Sequence, residues 1–153
     1  EELLVRSKDF YDNATPSGNS AAVDVILKLA KLTSDEKYER FAVTVLRMVA
    51  PQIKHHPQAF GRVLSALEFY LNPTKEIVIL GEKNNELERE IWSEYLPNKV
   101  LVLAKNSQEN IELIPLLRER NKIDGKTTVY VCENFTCQRP VMTTVELREQ
   151  LSL

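Results

Sequence analysis

The spacing of apolar residues changes near the middle of the chain, and this change constrains the fold more than any other feature. In the first half, apolar residues recur at positions i, i+3, i+4 and i+7, the period of an amphipathic helix. The clearest example is Val23, Ile26, Leu27 and Ala30. In the second half, residues 76–80 and 100–103 form short, nearly continuous apolar runs, typical of strands covered on both faces. We therefore predict an α/β chain with a helical segment over residues 1–73 and a small α/β module over 74–153.

The helical segment is predicted to contain three helices. Thr33 with Glu36 matches a capping box and predicts the start of the second helix. Pro51 should end or kink that helix, and Pro57 suits the first turn of a third. The apolar stripe predicted for the second helix comprises Tyr38, Phe41, Ala42, Val45 and Val49. Short connections between the helices favour antiparallel neighbours.

The second half predicts a mainly parallel sheet of three strands. The runs 76–80 and 100–103 flank a polar helix, the order of a βαβ unit, whose two strands are parallel. Residues 127–132 follow a strong Asp-Gly turn signal and predict the third strand. The intervening segment 111–117 is helical or irregular, and residues 144–151 form a closing helix.

Charge and motifs exclude several classes of function. The chain has 20 Lys and Arg against 22 Asp and Glu, a net charge of −2, so it lacks the positive field that nucleic acids or anionic membranes require. We expect neither partner. No apolar run reaches the roughly 18–20 residues needed to cross a bilayer and no signal peptide is recognisable, so we expect a cytoplasmic location. No catalytic motif is present, and we expect no catalytic residue, cofactor or metal.

The opening segment packs many short polar side chains ahead of the first helix. The residues of interest are Asp12, Asn13, Thr15, Ser17 and Asn19. They fit an elaborate helix cap, because Asx and Ser side chains bond nearby backbone N–H groups. They also fit part of a ligand pocket, in which hydroxyls and amides at a helix N-terminus bind a sugar or an anion. Both interpretations stay open at this point.

The two cysteines, Cys132 and Cys137, lie five residues apart at the end of a predicted strand. A structural role, a reversible disulfide and a shared metal or cluster site are all compatible with this spacing. Arg139 would favour a thiolate and Glu133 would oppose it. A zinc site needs about four ligands, and the only histidines are adjacent and far away in sequence. The three alternatives stay open, and we keep the pair as a candidate redox site.

Two motifs carry a resemblance to a known family. They are residues 8–20, Lys-Asp-Phe-Tyr-Asp-Asn-Ala-Thr-Pro-Ser-Gly-Asn-Ser, and residues 129–141, Val-Tyr-Val-Cys-Glu-Asn-Phe-Thr-Cys-Gln-Arg-Pro-Val. Segments 77–79 and 95–98 lie between them in the matching order. The chain resembles the C-terminal part of thioredoxin-domain-containing proteins, the family of the spermatogenesis-associated thioredoxin-like proteins and their bacterial relatives.

This resemblance implies a parent protein several times longer than the chain. Such proteins resemble a thioredoxin-like domain followed by an (α/α) six-hairpin barrel, similar to N-acylglucosamine epimerase and glycosidase barrels. The helical segment would then close the barrel, and the α/β module would be a C-terminal addition.

Several expectations about activity and partners follow from this resemblance. We expect no activity from the chain alone. The chain either exchanges thiols with the thioredoxin-like domain or is a structural module that completes a sugar or small-molecule pocket. Without the barrel, helix faces are left uncovered, and we expect self-association through Phe41, Val45, Phe60 and Leu64.

Overall fold

The computed structural model describes residues 9–108, 110–134 and 136–152. The chain divides into two compact units, one of the described residues up to Ala30 with Asp35–Leu71, and one of Lys31–Ser34 with the residues from Asn72 onward. The helices come first and the sheet follows, so the predicted α/β class is confirmed. Within the described ranges, no helix is long and apolar enough to cross a membrane.

Residues 9–73 contain three α-helices: α1 (Gly18–Thr33), α2 (Glu36–His55) and α3 (Gly61–Leu71), the last preceded by a 3-10 turn at Pro57–Ala59. Each helix buries a stripe of apolar residues. These are Val23 and Leu27 of α1, Ala42, Leu46 and Val49 of α2, and Val63, Ala66 and Phe69 of α3. Asp24 is buried beside them and pairs with Lys28, at 3.0 Å, and with Arg62.

Three details of α2 differ from the sequence prediction. Its N-cap is Asp35, whose Oδ1 accepts a hydrogen bond from the Lys37 amide at 2.8 Å, so the predicted Thr33 cap is wrong. The helix also continues through Pro51 to His55, so of the two outcomes predicted for this proline, an end or a kink, the end is wrong. Phe41, which belongs to the predicted stripe, is 56% exposed, whereas Leu46, which the predicted stripe omits, is buried.

The second half forms a four-stranded sheet with the strands β1 (Lys75–Leu80), β2 (Lys99–Ala104), β3 (Thr128–Glu133) and β4 (Thr136–Cys137). The strand order is β2-β1-β3-β4. Only β1 and β2 are parallel, whereas β3 is antiparallel to both β1 and β4. The sheet is therefore mixed, and the prediction of three mainly parallel strands is wrong in both respects.

The connections that lead into β2 and β3 differ. A parallel connection needs a crossover of a dozen or more residues, usually a helix. Helix α4 (Asn85–Ser93) supplies this crossover between β1 and β2. Among the described residues between β2 and β3, the only helical element is the 3-10 turn Pro115–Leu117, so no helix carries the chain across the sheet.

The two faces of the sheet are covered differently. Helices α4 and α5 (Thr144–Leu151) cover the face that contains Ile77, Ile79, Val129 and Val131. Because side chains alternate along a strand, Glu76 and Val78 of β1 and Tyr130 and Cys132 of β3 lie on the opposite face. The turn Pro115–Leu117 packs against β1 and brings the segment that follows it to the cysteines.

Candidate functional site

Cys132 and Cys137 form a disulfide that links β3 to β4. They are direct partners in the antiparallel pairing, with Cα atoms 3.9 Å apart. The next pair is hydrogen-bonded, since the Gln138 amide donates to the Val131 carbonyl at 2.9 Å. The cysteines therefore occupy a non-hydrogen-bonded position, where opposed side chains come closest. Asn134 has a φ of 50° and turns the chain between the strands, a conformation that Asn tolerates.

The two cysteines differ sharply in their access to solvent. Cys132 is 1% exposed, whereas Cys137 is exposed. The difference arises because β3 is an inner strand and β4 is an edge strand whose partner in the sheet is β3. A reagent in solution therefore reaches the disulfide from the Cys137 side.

Arg120 contacts both sulfur atoms. Its Nη2 donates to Cys132 Sγ at 3.0 Å and to Cys137 Sγ at 3.2 Å. Its Nη1 donates to the Leu116 carbonyl, and its guanidinium carbon lies 5.9 Å from the centroid of the Tyr130 ring. Burial lowers the pKa of Arg120, and the charges of Glu76 and Tyr130 act in the opposite direction. An arginine guanidinium keeps its charge in proteins, so a cation faces the disulfide.

The Tyr130 ring that lies beside this guanidinium is itself fixed. Its hydroxyl donates to the Asn121 carbonyl at 2.7 Å and accepts from the Asn121 amide at 3.1 Å. These two bonds tie the segment after the 3-10 turn to β3. Arg120 is therefore positioned by both its own segment and the sheet.

Glu76 places a carboxyl group at the same end of the sheet. It is the direct partner of Cys132 in the pairing of β1 with β3. Burial raises the pKa of the Glu76 carboxyl, while the positive charges of Lys31 and Arg120 lower it. The site thus combines a disulfide, a fixed cation and an acid whose ionisation is disfavoured by its surroundings.

The sequence identified the cysteines but missed the residues around them. It proposed Arg139 as the cation near the sulfurs, but the Arg139 guanidinium lies 3.6 Å from the Glu146 carboxylate instead. Arg120 is 12 and 17 residues from the two cysteines and lies on an irregular segment, so no periodic pattern marks it. Strand alternation, by contrast, does place Tyr130 on the face of Cys132.

Within the described ranges, no three residues of the types His, Cys, Asp and Glu are grouped so that they could hold a metal ion. The histidines, His55 and His56, are exposed at the C-terminal end of α2.

Asp12 of the opening segment has internal partners. Its Oδ1 accepts from the Ser17 amide at 2.8 Å and its Oδ2 from the Arg62 amide at 2.7 Å, which connects the segment to the start of α3. Burial raises the pKa of Asp12, but hydrogen bonds from the backbone of Ser17, Arg62 and Val63 and from the Ser20 side chain outweigh it, so the pKa is lowered. Asp12 therefore serves as a carboxylate acceptor for backbone groups.

The other predicted residues of this segment surround a polar depression of about 370 Å³. Its lining includes Asn13, Thr15, Ser17 and Asn19, but not Asp12. Ser17 Oγ is 2.7 Å from Ser20 Oγ and also accepts from the Ser20 amide, and Asn19 Nδ2 donates to the Asp9 carbonyl at 2.7 Å. Ser17 and Asn19 thus hold the loop, whereas Asn13 and Thr15 are exposed.

Comparison with known proteins relates nearly the whole chain to one named protein. Human spermatogenesis-associated protein 20 is 31% identical over 155 residues, which cover 97% of this chain and 20% of the human protein. The rat protein is 31% identical over 156 residues, with coverages of 98% and 20%. The chain is related to a segment of the spermatogenesis-associated protein 20 family.

The chain spans about one fifth of the length of these spermatogenesis-associated protein 20 relatives. An uncharacterised protein of Caenorhabditis elegans is similar as well, 26% identical over 152 residues that cover 97% of this chain and 21% of that protein. No family model matches the chain. No solved structure matches it either.

Proposed function

We propose that this chain carries a thiol–disulfide exchange site, Cys132 and Cys137, within the C-terminal part of a larger protein related to spermatogenesis-associated protein 20. The observation that carries the proposal is the Arg120 guanidinium, which donates to both sulfurs of a disulfide with one exposed end. A nearby cation favours the thiolate, the reactive form of a cysteine. The Arg120 cation would therefore stabilise the thiolate that forms when the disulfide is reduced.

A purely structural role explains these features less well. The disulfide joins residues only five positions apart, and β-pairing already brings them together. In the chain-entropy description such a short loop gains about 2 kcal/mol, at the low end of the range for disulfides. An exposed Cys137 at a sheet edge also leaves the bond open to attack.

The proposed partner is the thioredoxin-like domain that the sequence resemblance implies elsewhere in the parent protein. A protein dithiol can reduce a disulfide by two successive thiolate attacks. In this proposal the chain alone turns over no substrate, because its disulfide can be reduced only when a partner dithiol supplies the electrons.

Differential alkylation with mass readout tests the proposal. The chain is equilibrated in glutathione buffers between about −180 and −300 mV, and free thiols are counted. We expect a change from no free thiol to two, with a midpoint inside this range. A disulfide or a dithiol that persists at every potential would contradict exchange and leave the structural role. The Cys137→Ser variant is the control: it cannot form the intramolecular disulfide, so its single thiol is either free or in a mixed disulfide with glutathione, and the mass readout distinguishes the two.

A second candidate function rests on the polar depression of the opening segment. We propose that it contributes to a pocket for a sugar or another small polar molecule, because amide and hydroxyl groups line it. Calorimetry with N-acetylglucosamine on the full-length protein tests this with two double variants, Asn13→Ala/Thr15→Ala and Ser17→Ala/Asn19→Ala. Binding that is unchanged in both variants would rule the depression out.

A further inference from the structure

We propose that the two sulfurs have different roles: an incoming thiolate attacks the exposed Cys137, and the buried Cys132 leaves as a thiolate held by the Arg120 guanidinium. This inference deepens the proposed exchange function and rests on it for its biological use. The division of roles is a property of the side chains themselves, so it is measurable whether or not the pair exchanges with a partner.

Access decides which sulfur is attacked. Thiol–disulfide exchange begins when a thiolate reaches one sulfur and displaces the other. Cys132 is 1% exposed and lies on an inner strand, whereas Cys137 is exposed on the edge strand β4. A protein dithiol can approach Cys137 without moving the sheet. Cys132 is then the leaving group.

The position of Arg120 favours that leaving group. Exchange is faster when the departing thiol has a lower pKa, and an adjacent cation lowers a thiol pKa. Arg120 Nη2 lies 3.0 Å from Cys132 Sγ, where burial strengthens the attraction between the cation and a developing thiolate. The bond to the Leu116 carbonyl and the Tyr130 ring keep the guanidinium in place when the disulfide opens.

The charged groups on the neighbouring elements also act on Cys132. Glu76 faces Cys132 from β1, and its negative charge would oppose a thiolate. Burial disfavours that charge, and Lys31 and Arg120 are the positive charges that act on Glu76. Glu133 follows Cys132 directly but points to the other side of the strand. Arg120 is the cation in hydrogen-bond contact with the sulfurs.

The reaction balances with a protein dithiol as the reductant. Its first thiolate forms a bond to Cys137 Sγ, the Cys132–Cys137 bond breaks, and the electron pair leaves on Cys132 Sγ. The second thiolate of the partner then attacks the partner's own sulfur in the mixed disulfide and releases Cys137 as a thiolate. The partner ends as a disulfide, and Cys132 and Cys137 gain two electrons and take up protons from solvent.

Direct titration of Cys132 tests the role of Arg120. In the Cys137→Ser chain, the ultraviolet absorbance of the thiolate is followed against pH, alone and combined with Arg120→Met or Arg120→Lys. We expect the Cys132 midpoint to rise by about one pH unit or more in Arg120→Met, a tenfold loss of thiolate at a given pH. In Arg120→Lys, which keeps the positive charge, the Cys132 midpoint should rise less. The same midpoint in all three chains would overturn the inference.

Trapping with oxidised glutathione tests the assignment of the attacked sulfur. Reduced Cys132→Ser should form a mixed disulfide at Cys137 at least about tenfold faster than reduced Cys137→Ser forms one at Cys132, because the thiol must be accessible as well as ionised. Equal rates would overturn the assignment, and this test needs no Arg120 variant to fold. Failure of the exchange function shows separately, as the absence of a midpoint in the glutathione titration of the unmodified chain.

Discussion

Glu76 and Cys132 are direct partners in the antiparallel pairing of β1 with β3. Side chains at opposed positions share one face of the sheet, with Cβ atoms about 4.5–5.5 Å apart. A carboxyl group therefore stands next to the buried sulfur of the disulfide. Burial raises the pKa of this carboxyl. The electrostatic environment of Cys132 thus depends on whether Glu76 is protonated.

The variant Glu76→Gln should lower the thiol pKa of Cys132. It removes a negative charge that opposes the thiolate and leaves Arg120 in place. Thiolate absorbance in a Cys137→Ser background measures the change, and we expect a shift of a few tenths of a pH unit to about one unit. Glu133→Gln is the matched control, since this residue lies on the other side of the strand and should have a smaller effect. A larger shift in the control would contradict the assignment of Glu76.

Opening the disulfide should cost little stability. The loop is short, and the chain-entropy description assigns it about 2 kcal/mol. Urea unfolding of the oxidised and reduced chain measures the difference, with Cys137→Ala, in which no bond forms, as a control that reductant should leave unchanged. We expect the reduced chain to remain folded and to unfold at a lower urea concentration. Loss of the folded state on reduction would show that the bond is a structural requirement.

The sequence predicted the helices and the first three strands because their apolar periods are local. Helix α1, strand β1 and strand β2 all appear where the pattern places them. The direction of β3 could not be predicted this way, since it depends on what connects it to β2. The short strand β4 was missed as well, because Thr136–Cys137 is too short to have a period.

The same distinction holds for the candidate site. The cysteines could be identified by type and spacing, and Tyr130 follows from alternation along β3. Arg120 and Glu76 reach the cysteines through tertiary packing and strand pairing, which no local pattern encodes. The expected self-association surface shows that the local pattern also fails to predict which apolar residues are exposed. Phe60 is 1% exposed and its ring centroid lies 5.2 Å from that of Tyr11, so it cannot contribute to such a surface, whereas Phe41 is exposed.

Asp12→Ala should destabilise the helical unit by about 1–2 kcal/mol, the usual cost of removing a carboxylate that accepts backbone N–H groups at a helix start. Its two oxygens accept from the amides of Ser17 and Arg62. Chemical denaturation followed by circular dichroism measures the loss. Asp9→Ala is the control, because the Asp9 side chain accepts a local, exposed bond from the Tyr11 amide, two residues away. Equal losses in the two variants would argue against this role of Asp12.

The ion pair between Glu90 and Arg148 should stabilise the α/β unit in a pH-dependent way. Arg148 Nε lies 2.6 Å from Glu90 Oε1 and Nη2 lies 2.9 Å from Oε2, which joins α5 to α4. These hydrogen bonds lower the pKa of Glu90 below its ordinary value of 4.5. A depressed carboxyl pKa stabilises the fold above the unfolded value, and this contribution is lost as the pH falls through the folded value.

We therefore expect Arg148→Met to reduce stability at neutral pH, with a difference from the unmodified chain that shrinks as the pH falls below 4.5, the ordinary pKa of a glutamate. Urea unfolding at several pH values measures it. Arg40→Met is the matched control, because the Arg40–Glu36 pair is 3.4 Å long and exposed on both sides, and such pairs contribute little. A difference that stays constant down to low pH would indicate that Arg148 acts through packing instead.

Gly81→Ala should destabilise the end of β1 by more than about 1 kcal/mol. The two causes are a positive φ and a steric contact with Thr127, and the comparison with Gly125 distinguishes them. Gly81 has a φ of 138°, and a Cβ there would lie 2.7 Å from Thr127 Oγ1 and 2.8 Å from Thr127 Cα. Gly125 also has a positive φ, 70°, but a Cβ there would meet nothing within 4 Å. Gly125→Ala thus tests a positive φ without a steric contact, and we expect a smaller loss of unfolding free energy. Equal losses would mean that the close approach to Thr127 adds no cost at position 81.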